Sequence, residues 1–207
     1  NIPVRGGNRD YTVTVQNTDV LSIDIDLSSP IDMGNLVVKP KQKGETTITV
    51  KDNVTNETVD LKIKIVDSYL NLKVAHPAQV PYTGGENLFF INNSDRDFYL
   101  FDEKMEKKEC TGNYQFLIKN STCYMILNFD KELNDKSTYE YNISNTSERM
   151  FTLIEILLGI DWNMKTDLIN RSTRSASPVT MNAVDTETNI IQYFVAGSND
   201  IPENILD

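Results

Sequence analysis

The chain has 207 residues, 39% of them hydrophobic, and a formal net charge of −10. That length accommodates one large all-β domain or two ordinary domains. The acidic balance excludes a general phosphate-backbone binder, so no nucleic acid is expected, and it excludes electrostatic docking on an anionic membrane.

Residues 1–66 read as a run of short strands. Gly6-Gly7-Asn8 is a turn, after which Tyr11, Val13 and Val15 alternate with Thr12, Thr14 and Gln16. In residues 20–27, Ile23, Ile25 and Leu27 share one face and Asp24 and Asp26 the other, until Ser28-Ser29-Pro30 breaks the run. Leu36-Val37-Val38 is a further strand before Pro40. Ile48 and Val50 then alternate with Thr47, Thr49 and Lys51, and Val59, Leu61, Ile63 and Ile65 alternate with Asp60, Lys62 and Lys64. A period of two describes strands with one buried face and one wet face. The turn formers Asp52-Asn53-Val54-Thr55-Asn56 join the last two into a hairpin. Short strands with turn signals at this spacing predict a sandwich.

The order Gly7-Asn8-Arg9-Asp10-Tyr11, Asp19-Val20-Leu21-Ser22-Ile23, Leu36-Val37-Val38-Lys39-Pro40 and Gly44-Glu45-Thr46-Thr47-Ile48-Thr49-Val50-Lys51-Asp52 resembles a bacterial Ig-like domain of group 2. The resemblance covers the first third of the chain. The family's opening strand is nearly absent: either it lies outside this chain, or Ile2-Pro3-Val4 is what remains of it. The resemblance implies a cell-envelope or extracellular location in an exported bacterial protein, a spacer role beside another domain, and no active site.

Asp67-Ser68-Tyr69 marks the expected boundary, giving domains 1–66 and 68–207. Beyond it Leu70, Leu72 and Val74 alternate, residues 76–85 form a Pro/Gly loop, and strands follow at 87–91 and 98–101. The charged run 102–109 reads as a solvated hairpin end. Tyr114, Phe116 and Ile118 alternate, and Cys123-Tyr124-Met125-Ile126-Leu127 is apolar on both faces, which predicts a central strand covered on both sides. Tyr139, Tyr141 and Ile143 alternate again. Residues 147–158 fit both a helical face (Met150, Phe151, Ile154, Leu157, Leu158) and a buried strand. The β context of the neighbours favours strand. Residues 171–178 read as a loop and 190–195 as the last strand. The fold class expected is all-β, mainly: an N-terminal Ig-like β-sandwich, then a larger antiparallel β-domain with at most one or two helices.

Candidate chemistry is sparse. His76, the sole histidine, sits between Ala75 and Pro77, and no Gly-x-Ser-x-Gly elbow exists to receive it. Asn93-Ser94-Asp95-Arg96-Asp97 opens like a calcium loop but has Phe98 at the glycine position and Lys104 at the closing carboxylate. Asp19, Asp24, Asp26 and Asp32 read as solvated carboxylates. No metal or other cofactor is expected. Cys110 and Cys123 fit either two buried thiols or a disulfide, and two reduced thiols are expected in protein made in a reducing cytosol. Sequons at Asn53, Asn56, Asn92, Asn120, Asn142, Asn145 and Asn170 fit an Asn/Thr/Ser-rich chain.

The ligand-binding candidates are aromatic. Trp162 lies in Gly159-Ile160-Asp161-Trp162-Asn163, where a ring flanked by Asp and Asn could stack on a sugar, and Tyr82 lies in the Pro/Gly loop. The competing account of Trp162 is a plug of the second core. No apolar run is long enough to span a bilayer: the longest, residues 150–160, contains Thr152, Glu155 and Gly159. The chain opens at Asn1 without an initiator methionine, as a mature or trimmed form does, so a lipid anchor upstream of residue 1 is compatible with it. The function expected is a non-enzymatic surface protein, for adhesion or binding, whose partner is a glycan or surface protein. The alternatives are a glycan hydrolase using paired carboxylates in residues 68–207 and a purely structural surface subunit.

Overall fold

The computed structural model describes residues 1–28, 30–162, 179–198, 200–202 and 205–206. It divides into two units, Asn1–Val66 and Asp67–Asp207. Among the described residues there are fourteen strands and one helix, so the fold is all-β.

The first unit pairs two three-stranded antiparallel sheets. One contains β1 (Ile2–Val4), β4 (Gly34–Pro40) and β3 (Leu21–Asp26) in that order; the other contains β2 (Tyr11–Val15), β5 (Gly44–Asp52) and β6 (Thr58–Ile65). Ile48 lies opposite Leu61 and Val50 opposite Val59, but Val59 is 60% exposed, so the alternation expected from Val59 to Ile65 begins to bury its apolar face only at Leu61. The buried apolar set is small: Val20, Leu21, Leu36 and Ile48. Asp52 compensates with polar ties. Its Oδ2 accepts from the Asn8 backbone N–H (2.9 Å) and Nδ2 (3.1 Å), and its Oδ1 accepts from the N–H groups of Val54 (2.8 Å) and Thr55 (3.1 Å). The turn at Asn8 and the hairpin after Asp52, far apart in sequence, are thereby fastened together. Leu27 lies beyond the end of β3 and is exposed, so the face proposed for residues 20–27 stops at Ile25.

The second unit is a closed barrel of eight antiparallel strands. They are β7 (Tyr69–Val74), β8 (Asn87–Ile91), β9 (Asp97–Phe101), β10 (Lys108–Lys119), β11 (Thr122–Leu133), β12 (Lys136–Asn142), β13 (Thr180–Asp185) and β14 (Ile191–Ala196). Each pairs with its sequence neighbour, and β14 closes onto β7 through Phe194–Val74 and Val195–Lys73. Closure removes both sheet edges. The inward positions, among them Leu72, Phe90, Phe98, Tyr114, Met125, Leu127, Tyr141 and Phe194, form one continuous core. Edge-to-face rings bind it, as between Phe98 and Phe129, whose centroids are 5.0 Å apart at 89°.

Two expectations are corrected here. Residues 147–158 are not a strand: Glu148–Leu158 form helix α1. Ser147 caps its start, accepting from the Met150 N–H, and Gly159 ends it in the left-handed conformation at φ 62°. Met150, Phe151, Ile154 and Leu158 make the buried stripe, so the helical period prevails over the β context. The strand covered on both faces is β8, all five of whose residues are buried, rather than residues 123–127, where Tyr124 and Ile126 remain half-exposed.

Helix α1 is tied to one end of the barrel. Arg96 Nη1 donates to the Leu158 carbonyl (2.5 Å) and to Asn92 Oδ1 (2.8 Å), placing a cation at the negative end of the helix dipole. Ser68 Oγ donates to the Leu157 carbonyl (2.5 Å) and Ser147 Oγ to the Thr180 carbonyl (3.0 Å). Ser68 and Arg96 precede β7 and β9, Asn92 follows β8 and Thr180 opens β13, and because the strands are antiparallel all four lie at one end of the barrel. The opposite end of the barrel therefore gathers the connections at 75–86, 102–107, 134–135 and 186–190.

Candidate functional site

That opposite end forms a mouth. Its cleft, of about 630 Å³, is lined by loop 75–86 and by residues of β9, β10 and β11. Glu86, Asp102, Glu103, Glu109 and Glu132 line it against a single cation, Lys131. Its rim carries solvent-exposed ion pairs, Lys73 with Glu103 (3.3 Å) and Lys107 with Glu109 (2.8 Å), which add little to stability. The floor is formed in part by Tyr82, Leu100, Cys110 and Leu133.

Loop 75–86 is held by two buried or half-buried polar anchors. Gln192 points inward from β14 and is 1% exposed. Its amide Nε2 donates to the carbonyls of Gln79 (2.6 Å) and Val80 (3.0 Å), and its Oε1 accepts from the Gln79 N–H (3.4 Å). The Glu86 carboxylate accepts from the Thr83 N–H (2.6 Å), the Thr83 hydroxyl (2.5 Å) and the Gly84 N–H (2.7 Å). Burial raises the Glu86 pKa, but those hydrogen bonds outweigh it and hold the carboxyl below its ordinary value.

The loop drives Tyr82 into the barrel. It is 4% exposed, with its ring edge-on to Phe194, centroids 5.8 Å apart at 81°. Its hydroxyl faces that of Tyr141, a strand residue with no exposure that stacks on Tyr139 at 6.1 Å. Neither hydroxyl completes a hydrogen bond of good geometry. Burial drives both phenols far above their ordinary pKa, so both are neutral.

The other candidates are dispersed. Trp162 is 4% exposed at the helix end of the barrel, where its Nε1–H donates to the Phe151 carbonyl (3.2 Å). Its ring meets Phe151 (5.1 Å, 90°) and Phe116 (5.9 Å, 74°) edge-on. The structure therefore does not bring Trp162 and Tyr82 together: they occupy opposite ends of one core. Asn163, Asn170 and the loop expected at 171–178 lie outside the described residues. His76 is exposed in the mouth loop, its ring against Gly84. Asn93 and Asp97 bond to each other, Nδ2 to Oδ2 at 2.7 Å, which closes a turn. Asp24 pairs with Lys39 (2.5 Å) and Asp26 accepts from the Ser28 N–H (2.8 Å). Among the described residues no three His, Cys, Asp or Glu side chains converge as a metal site.

Cys110 and Cys123 are both free and buried. Cys123 lies opposite Ile118 on β10, whereas Cys110 lies opposite Leu100 on β9. Burial raises both thiols, Cys123 to about 11, which keeps them protonated and unreactive. A second hollow, of about 380 Å³ and mainly apolar, lies in the first unit between β1 and β6, lined by Ile2, Val4, Leu36, Val59 and Leu61. Its polar side chains are Arg5, Tyr11, Asp52 and Glu57; Asp52 is already engaged by Asn8, and the Tyr11 hydroxyl donates to the Gly6 carbonyl (2.5 Å).

The mouth residues that sequence reasoning missed are Gln192, Glu86 and Tyr141. The one available signal was polarity: Gln192 stands between Ile191 and Tyr193 in an otherwise apolar strand, at an inward position. Compared with protein-family models, curated proteins and solved structures, the chain matches none of them.

Proposed function

We propose that this chain is a non-enzymatic binding protein of the bacterial cell envelope or exterior, in which the barrel mouth engages a glycan or surface protein and the sandwich serves as a spacer. The single observation that carries the binding role is the mouth itself: an open, acid-lined cleft held by loops, above a barrel interior filled by its own side chains. The location rests on the resemblance of residues 7–52 to group 2 bacterial Ig-like domains.

The hydrolase alternative needs a carboxyl raised toward neutrality to act as the acid. Glu86 and Asp185 are displaced the other way, because hydrogen bonds to their charged forms outweigh burial. Such carboxylates act as fixed acceptors rather than proton donors. The test is an array of bacterial and host surface glycans probed with the full chain, read for retention and for release of reducing ends. Retention without release, weakened by the rim substitution Glu132→Lys, is the expected result. Release of sugar would establish the hydrolase instead, and retention indifferent to Glu132 would move the contact away from the mouth.

A further inference from the structure

Most of the barrel's interior is carried on strands, and side chains such as Tyr139, Tyr141 and Phe194 are fixed there by the β-ladder. Tyr82 reaches the same space from a loop. The two ends of this loop are tied to strands, Ala75 N–H to the Tyr193 carbonyl (2.7 Å) and Gly85 N–H to the Val74 carbonyl (2.9 Å), but its middle, Gln79 and Val80, is bonded to the barrel through the Gln192 side chain, and those bonds can break without disturbing any strand pair. Tyr82 also lines the open cleft, so the volume it fills adjoins solvent. At the inner end of that volume stands the Tyr141 hydroxyl, fully buried, borne on a strand and without a well-formed hydrogen bond. Eight strands give an interior that is either just filled by side chains or able to hold one small ligand.

We propose that Tyr82 is a displaceable plug, and that the space beneath Phe194 and Tyr141 is a binding site for a small neutral phenol-like ligand. The ligand replaces the Tyr82 ring edge-on to Phe194 and pairs its own hydroxyl with that of Tyr141, each hydroxyl being able to donate and accept. Neutrality follows from the entrance, where Glu86, Asp102, Glu109 and Glu132 repel an aromatic acid, and from the cost of burying a charge. This site is separate from surface recognition at the rim, and neither requires the other.

The test titrates the full chain calorimetrically with 4-methylphenol, the Tyr82 side chain as a free molecule, beside toluene and benzoate. The native protein should bind 4-methylphenol saturably and in preference to both controls. Removing the plug by Tyr82→Ala should tighten binding at least about tenfold, because the site no longer has to be vacated first. Tyr141→Phe should erase the preference over toluene. Should Tyr82→Ala fail to fold, Gln192→Ala loosens the loop while leaving the ring available, and it too should bind more tightly than the native chain. Binding by Tyr82→Ala but not by native protein would make Tyr82 a permanent core residue and overturn the proposal. Equal binding of toluene with Tyr141 intact would overturn it as well, as would a folded Tyr82→Ala that binds nothing.

Discussion

Replacing Trp162 by alanine tests the packing of the helix end of the barrel. The indole is 4% exposed, contacts Phe116 and Phe151 edge-on, and donates to the Phe151 carbonyl. Truncating a buried Trp to Ala costs about 3–5 kcal/mol, the lost transfer energy plus the cavity left behind. Unfolding entropy near 2.1 cal/mol/K per residue gives about 0.3 kcal/mol/K for a unit of about 140 residues. The barrel transition should therefore fall by about 10–17 °C. Trp162→Phe keeps a ring but forfeits the N–H bond, and should lower it by about 3–7 °C, from about 1–2 kcal/mol. The assay is a melt followed by far-UV circular dichroism, since the mutation removes the sole tryptophan and with it the fluorescence signal. In the native protein that single indole should show blue-shifted emission and resist acrylamide. The first unit should melt as before, since it is a separate compact body. A barrel transition within about 2 °C of native in Trp162→Ala, a shift worth under 1 kcal/mol, would refute the core assignment and return the ring to the surface as a sugar platform.

Gly112→Ala should destabilise the barrel by about 1–3 kcal/mol or more, read as a lower urea midpoint, because a Cβ there collides with the Asn128 carbonyl and stands 2.8 Å from the Phe98 ring. Intact mass should show two alkylatable thiols after denaturation and slow labelling of the native protein, whereas a mass two hydrogens lighter would reveal a disulfide that the strand register does not allow. Acid should loosen the mouth loop: the Glu86 carboxyl is held below its ordinary value, so its contribution is complete above the unfolded pKa and is lost as pH falls through the lower folded one. Glu86→Gln should flatten that part of the pH dependence, and amide exchange at Thr83 and Gly84, followed from pH 6 to pH 3, reports it.

Much of the local structure was legible in the residues. The period-two alternation of 43–52 and 57–66 specified a hairpin, and the structure pairs β5 and β6 antiparallel across that turn. The alternation of Tyr114, Phe116 and Ile118 likewise became β10, with two of the three rings and chains fully inside. Helix α1 was half-legible. Ser147 and Gly159 are the punctuation of a helix, but a short apolar run among strands satisfies either period, and only docking across the end of a barrel selects the helical one.

The candidate site was far less legible, for a reason of distance along the chain. Gln192 meets Gln79, and Tyr141 meets Tyr82, only because β14 pairs with β7 and shuts the barrel. Nothing local to residues 69–74 or 191–196 announces that pairing. The same closure turns a tyrosine in a Pro/Gly loop, which composition places in solvent, into an interior residue, and it decides which strand is buried on both faces. What the sequence by itself determined is what neighbouring residues settle between themselves: strand alternation, turn chemistry and net charge. Only the tertiary structure decided which hydroxyls are buried against one another and which loop side chain fills the core, because burial is a property of the volume enclosed by eight strands and not of any one of them.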